Sequence, residues 1–314
     1  MGCPITIIAV GVGNEAFSAA MAEIRDLAEL WETRYSRFRP ESELSRLNDG
    51  AGNGAVRVGP ELFTMIERAI EAARTTDGLF TPLVLPAVRA IGYDRDFARI
   101  RAVRCVSTGA PAPVPDVEVI VLDHTAGTIA LPAGCGIDLG GIAKGAFIDA
   151  VVERFTPYWP GGCVNAGGDL RIWGEPPDGD YWTIGIEYPQ KPDFDIVQAR
   201  LINPNAVSAI ATSGRNRRRW QTERGPAHHL IDPATGSSIK GRIETATAFA
   251  ADAITADLAA KTLYLSVSNE QLPMLGSASL GLTIDERGSG TLWTTNERHD
   301  VEIVPLIIRT SETG

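Results

Sequence analysis

Apolar residues return every three or four positions in some stretches of this chain and alternate with polar ones in others. These two periods predict its elements. Asn14 can cap a helix that runs to about Tyr35, with Phe17, Met21, Ile24, Leu27, Ala28 and Trp31 on one face. Pro60 suits the first turn of a second helix carrying Leu62, Met65, Ile66, Ala69 and Ile70. Phe147, Ile148, Val151, Val152 and Phe155 mark a third, a fourth runs from about Ala253 to Leu265, and a short one is expected near Gln271. Strands are expected at 5–10, at 117–122 and 128–131 as a hairpin around Ala126-Gly127, and at 181–188, 197–202, 207–211 and 217–221. Residues 281–285 and 292–295 read as closing strands, and the proline-rich 110–115 as a surface loop. Helix and strand mix without regular βαβ alternation, which favours an α+β fold with mixed or antiparallel sheets and flanking helices. Residues 1–309 are expected to form one domain, with room for two closely packed lobes, and 310–314 a disordered tail.

Composition narrows the class. With 314 residues, 44% hydrophobic and 22% charged, the chain reads as a soluble globular protein able to bury a large core. A net charge of -10 argues against a general nucleic-acid binder, yet local positive groups can still hold an anionic small ligand. Cys3, Cys105, Cys135 and Cys163 are far apart with no Cys-x-x-Cys pair, which speaks for reduced thiols in the cytoplasm rather than disulfides or zinc. No stretch is apolar enough to span a bilayer, and no leader is evident; an exported form with its leader removed would read the same. Met1 to Thr6 formally satisfies a myristoylation pattern, but a strand at 5–10 runs straight into the fold.

Candidate chemistry is concentrated in a few segments. Gly136-Ile-Asp-Leu-Gly-Gly-Ile-Ala-Lys-Gly145 places an acid, paired glycines and Lys144 at a helix start. Bare backbone N–H groups, the positive helix end and the lysine suit a phosphorylated ligand; a tight strand-to-helix turn without a ligand is the plain alternative. It is not a P-loop, because the Gly-x-x-x-x-Gly-Lys-Ser/Thr order is absent. Asn165-Ala-Gly-Gly-Asp169 reads by itself as a bulge or tight turn. Ala211-Thr-Ser-Gly214 is followed by His228-His-Leu-Ile-Asp-Pro-Ala-Thr-Gly236, a set of residue types that can position and remove a hydroxyl proton, although the second half is also a good turn sequence. Asp257 and Lys261 lie four apart on one helix face: a surface ion pair, or, if that face looks into a cleft, a carboxylate able to bind Mg²⁺. The Arg215–Arg219 cluster reads as a solvated face without a role.

Taken in order, these segments resemble the ApbE family, the flavin transferases also called FAD:protein FMN transferases. Met1-Gly-Cys looks like the family's opening, and Ser36-Arg-Phe-Arg-Pro-Glu-Ser-Glu-Leu-Ser-Arg-Leu-Asn48 resembles its Arg-Pro-x-Ser–Leu–Asn signature. Thr76-Asp-Gly-Leu-Phe-Thr-Pro82 resembles its Asp-Gly-Ala-Phe-Asp turn, and the segments at Asp138, Asn165, Ser213, His229 and Asp257 follow in family order. The resemblance covers nearly the whole chain and implies a T-fold-like architecture. It implies FAD contacts from Met1, Phe38, Leu79, Phe80, Thr81, Asp138, Lys144 and Ile231, with Gly140 and Gly141 beside the pyrophosphate.

It also implies Mg²⁺ held by the Gly141 backbone carbonyl, by Asp257 and by a threonine four residues later, where this chain has Lys261; Ala260 stands where some members carry a further acid. Lys261 is then expected either to replace part of the metal's work or to weaken metal binding. The implied reaction moves FMN from FAD to a threonine or serine hydroxyl of an acceptor flavoprotein and releases AMP. His229, helped by Asp232, would take the hydroxyl proton, and Lys261 would join the groups that stabilise developing charge. FAD hydrolysis to FMN and AMP, or flavin binding with a decayed cation site, are the other readings.

Overall fold

The computed structural model of the chain describes residues 2–100, 110–295 and 300–306. Its main sheet consists of β1 (Ile5–Val10), β2 (Gly161–Ala166), β3 (Asp169–Gly174), β4 (Ala209–Gly214), β5 (Ile243–Ala250), β6 (Leu280–Asp285) and β7 (Gly290–Thr294). These strands lie side by side in chain order, each antiparallel to the next. Between β1 and β2 the chain inserts α1 (Asn14–Tyr35), α2 (Pro60–Thr75) and α3 (Ala143–Phe155); α4 (Ala253–Ser268) joins β5 to β6. The fold is thus α+β, with helices flanking antiparallel sheets. Among the described residues no helix is long and apolar enough to cross a membrane.

Side-chain size decides how closely the helices approach. Ala209 and Ala211 of β4 and Ala246, Ala248 and Ala250 of β5 point to the helical side and are fully buried. They meet Ala253, Ala256, Ala259 and Ala260 of α4, so helix and sheet pack through small side chains. Alternation sends Ile210 and Phe249 to the opposite face. There they pack against a second, three-stranded antiparallel sheet formed by Trp182–Tyr188, Lys191–Leu201 and Val301–Pro305. A further sheet of short strands, Ala55–Arg57, Thr128–Ala130 and Val121–Asp123, packs with α2.

Asp149 on α3 holds the start of α4. Its Oδ1 accepts from Ala253 N–H at 2.9 Å, its Oδ2 from Ile254 N–H at 3.0 Å, and Arg171 Nη1 donates to Oδ1 at 2.8 Å. Burial pushes this carboxyl above its ordinary pKa while the two N–H donors oppose the shift. Asp149→Ala therefore leaves backbone donors and a half-buried guanidinium without their acceptor. It is expected to cost about 3 kcal/mol, read as a lower midpoint in urea unfolding at constant slope.

Some expectations differ from the structure. Gly13, not Asn14, occupies the N-cap of α1, so Asn14 is its first helical residue. Residues Val117–Val119 form a 3₁₀ turn rather than a strand, because Asp116 Oδ1 accepts from Glu118 N–H at 2.9 Å. No helix forms near Gln271: Glu270 takes the left-handed conformation at φ 57° and closes α4, with Gln271 N–H returning to Ser266 O at 2.8 Å. Strands Gly225–His228, Ile231–Asp232 and Ser237–Ser238 are too short to have shown a period. The expected tail, Met1 and Cys105 lie outside the described residues.

Candidate functional site

A cavity of about 860 Å³ opens between the start of α3, one face of α4, the end of β4 and the strand Trp182–Tyr188. Its glycine turn is held from outside. Asn48 donates to Ile137 O at 2.9 Å and accepts from Ile137 N–H at 2.7 Å, pinning the backbone just before Asp138. Asp138 Oδ1 accepts from Gly140 N–H at 2.7 Å, while Oδ2 pairs with Arg37 Nε at 2.8 Å. The Arg37 guanidinium lies 4.1 Å from the Phe38 ring centroid and 4.4 Å from that of Tyr93. Trp31 Nε1 donates to Ala143 O at 3.1 Å and fixes the first turn of α3.

The glycines serve packing. A Cβ on Gly141 would sit 2.8 Å from Phe80 Cε2, and one on Gly145 would sit 2.7 Å from the Ala253 carbonyl. Opposite them, Asp77 (φ 48°) and Gly78 (φ 74°) make a left-handed turn that brings Leu79, Phe80 and Thr81 to the cavity wall. Phe38 is exposed at the rim, whereas Ile231 is buried in the wall.

Charged groups line the floor. The Lys144 ammonium contacts Asp169 Oδ2, and Asp169 Oδ1 accepts from Thr212 N–H at 2.9 Å. Burial brings the Lys144 pKa down to about 8; Asp257 opposes the shift, and Lys261 and Arg218 add to it. Direct contact with the Asp169 carboxylate favours the charged form, so Lys144 is an ammonium at neutral pH. Asp257, 1% exposed, receives Lys261 Nζ on Oδ1, while its buried Oδ2 has no hydrogen-bond partner among the described residues. This pair is therefore inside the cleft and not on the surface. Arg217 and Arg218 also border the cavity, against the expectation of an idle solvated face. Arg217 pairs with Glu187.

The adjacent histidines have separate fates, because successive residues leaving a strand point to opposite sides. His228 is buried away from the cavity with Nε2 2.9 Å from the Ile239 carbonyl, which makes Nε2 the protonated nitrogen. Burial lowers its pKa from 6.5 to about 4. Since the folded pKa lies below the unfolded one, its contribution is complete above pH 6.5 and is lost as the pH falls toward about 4. Urea titrations across that window should show about 3 kcal/mol of stability disappearing on this account, and less in His228→Gln.

His229 borders the cavity, with Nδ1 buried and unpartnered. Burial, and then the charges of Arg218, His228, Lys261 and Lys144, hold its pKa well below 6.5. It is a neutral imidazole at neutral pH, able to accept a proton. Asp232, expected to help it, is not among the residues that line the cavity, and its carboxylate accepts from Ala234 N–H at 3.1 Å and Thr235 Oγ at 3.0 Å within its own turn. The good turn sequence noted there accounts for these contacts.

A tightly held Mg²⁺ does not fit the donors present. The orphaned Asp257 Oδ2 is one available oxygen, but an ammonium already occupies the other. No group of three or more His, Cys, Asp or Glu residues is placed to hold a metal among the described residues. Magnesium asks for near-octahedral oxygen ligation, and a neighbouring ammonium opposes it electrostatically. Arg37, Asp169, Thr212 and Arg218 are site residues that sequence patterns did not single out. Arg37, Asp169 and Thr212 lay inside quoted motifs, while Arg218 belonged to the arginine cluster that carried no signal beyond its charge.

The sequence model of the ApbE family matches residues 1–282. An FAD:protein FMN transferase of Treponema pallidum is 28% identical over 279 residues, covering 79% of this chain and 71% of the relative. Another from Vibrio cholerae is 28% identical over 236 residues, covering 75% and 70%. Among solved structures, an ApbE protein of Thermotoga maritima superposes with a TM-score of 0.74 at 24% identity, covering 91% of this chain and 92% of that one. The flavin transferase ApbE of Vibrio cholerae gives 0.69 at 24% identity, with 94% of each chain covered.

Proposed function

The chain belongs to the ApbE family, and from this we propose that it is an FAD:protein FMN transferase, moving FMN from FAD to a threonine or serine hydroxyl of an acceptor flavoprotein. The observation that carries the reading is the meeting of an unpartnered neutral His229 with the Lys144 and Lys261 ammonium groups around one glycine turn. The hydroxyl oxygen attacks the FMN-side phosphorus as His229 takes its proton. The bond from that phosphorus to the bridging oxygen breaks, and AMP leaves with the electron pair.

Lys144, Lys261 and the N–H groups at the start of α3 hold the pyrophosphate and stabilise the charge that grows on it. Phe38, Leu79, Phe80, Thr81 and Ile231 offer apolar surface and a hydroxyl for the flavin and adenine ends. Mg²⁺, the metal expected from the resemblance, would polarise the phosphorus and neutralise the diphosphate. The donor set here does not assemble it, and no step above depends on it.

The acceptor is a protein segment of the type Asp-Gly-x-Thr/Ser-x-Thr. Residues 1–309 act as one transferase unit, and the free thiols of Cys3, Cys135 and Cys163 suit a reducing compartment. Incubation with FAD and such an acceptor, following AMP and acceptor mass, tests the reading. Equal amounts of AMP and flavinylated acceptor are expected. AMP with free FMN would mean hydrolysis, and intact bound FAD would mean a binding protein.

A further inference from the structure

The buried carboxylate that the resemblance assigns to a metal already has a cation. Lys261 stands one helical turn beyond Asp257 on α4, its ammonium touching Asp257 Oδ1 and lying 3.3 Å from the Asp257 carbonyl. Only 14% of the Lys261 side chain is exposed. Its Cε would lie 3.4 Å from a Cβ on Gly141, so the stem fills the gap between α4 and the glycine turn. Those are the two elements between which the resemblance would place the ion.

We propose that the Lys261 ammonium takes the place of that divalent cation, so that this chain binds the flavin dinucleotide without a tightly held metal. The proposal rests on the transferase reading and specifies how the same site meets the diphosphate. An ammonium has three N–H donors; the Asp257 carboxylate and carbonyl occupy two, leaving the third for a phosphate oxygen. A carboxylate that is 1% exposed needs a positive partner. Here that partner comes from the chain itself, at a spacing of four residues that the helix fixes. A divalent ion seeking the same carboxylate would have to displace a charge of its own sign whose stem is packed against Gly141. The nearby Lys144 and Arg218 raise the positive potential further.

The test measures FAD affinity by flavin fluorescence in EDTA and in Mg²⁺, with Mn²⁺ as a paramagnetic probe of metal binding to the FAD-loaded protein. The wild-type chain should bind FAD equally in both media, within about twofold, and leave the Mn²⁺ spectrum that of the free ion. Lys261→Thr, which supplies a neutral oxygen, should lose about tenfold in FAD affinity in EDTA, recover it in Mg²⁺, and bind Mn²⁺. Lys261→Met keeps the stem and removes the charge; it should show the same metal rescue, which guards against a folding defect in the threonine variant. If wild-type FAD affinity collapses in EDTA, or wild type binds Mn²⁺ as tightly as Lys261→Thr does, this proposal is overturned while the flavin reading stands. Failure to bind FAD in either medium would remove the flavin reading and this proposal together.

Discussion

His229→Ala should hold FAD nearly as tightly as the unaltered chain and transfer FMN about 10²–10⁴-fold more slowly, the range over which a positioned general base acts. Neither neighbour can replace it. His228 faces away and donates to the Ile239 carbonyl, and Asp232 is committed to its own turn. Lys144 and Lys261 are cations in contact with carboxylates and have no lone pair to offer. Because burial, and after it the positive surroundings, keeps the His229 pKa well below 6.5, the free enzyme should retain kcat/KM as pH falls through 6.5 and lose it only at lower pH. Bound pyrophosphate adds negative charge beside the ring, so the acid limb of kcat should lie at higher pH than that of kcat/KM. Flavin fluorescence gives the affinity and AMP release gives the rate. A loss of FAD affinity in step with the loss of transfer would instead make His229 a binding group.

Long periodic stretches made much of this architecture legible. The faces of α1 and α2 come from residues spaced for a helix; α1 ends at the expected Tyr35, and α2 runs on to Thr75, past its last named apolar position, Ile70. The seven-stranded sheet was not legible as a sheet. Its strands are separated by insertions as long as the 150 residues between β1 and β2, and alternation along one strand says nothing about its distant neighbour. Alanine-rich β4 and β5 show why local composition misleads: strong helix formers lie in central strands because α4 must approach closely. At the site, the glycine turn, Lys144, His229 and Asp257 could be named from motif order. What each carboxylate touches could not, since Arg37 reaches Asp138 and Lys144 reaches Asp169 past whole intervening helices and strands. Asp232 looked catalytic because its residue type fitted; only the hydrogen bonds within its turn showed that it was engaged.

Lys144→Met should damage both folding and binding, and a second substitution separates the two. Asp169 is 1% exposed, with one carboxylate oxygen on Thr212 N–H and the other on Lys144. Removing the ammonium strands a buried charge, which should lower stability by about 3–5 kcal/mol in urea unfolding. In Lys144→Met/Asp169→Asn the amide oxygen can still accept from Thr212 while the charge is gone, so most of that stability should return. FAD affinity should not return with it. The diphosphate has lost a charge-assisted donor at the start of α3, a loss of about 1.5–3 kcal/mol, or roughly 10–100-fold. Asp169→Asn by itself leaves Lys144 unpaired beside the ligand and should bind FAD no more weakly than the unaltered chain. If the double variant instead recovers FAD affinity along with stability, Lys144 serves the fold through Asp169 and the pyrophosphate lies elsewhere in the cavity. Recovery of stability alone places the Lys144 ammonium on the ligand, where its share of the binding can be read by comparing FAD with riboflavin, which has no phosphate to lose.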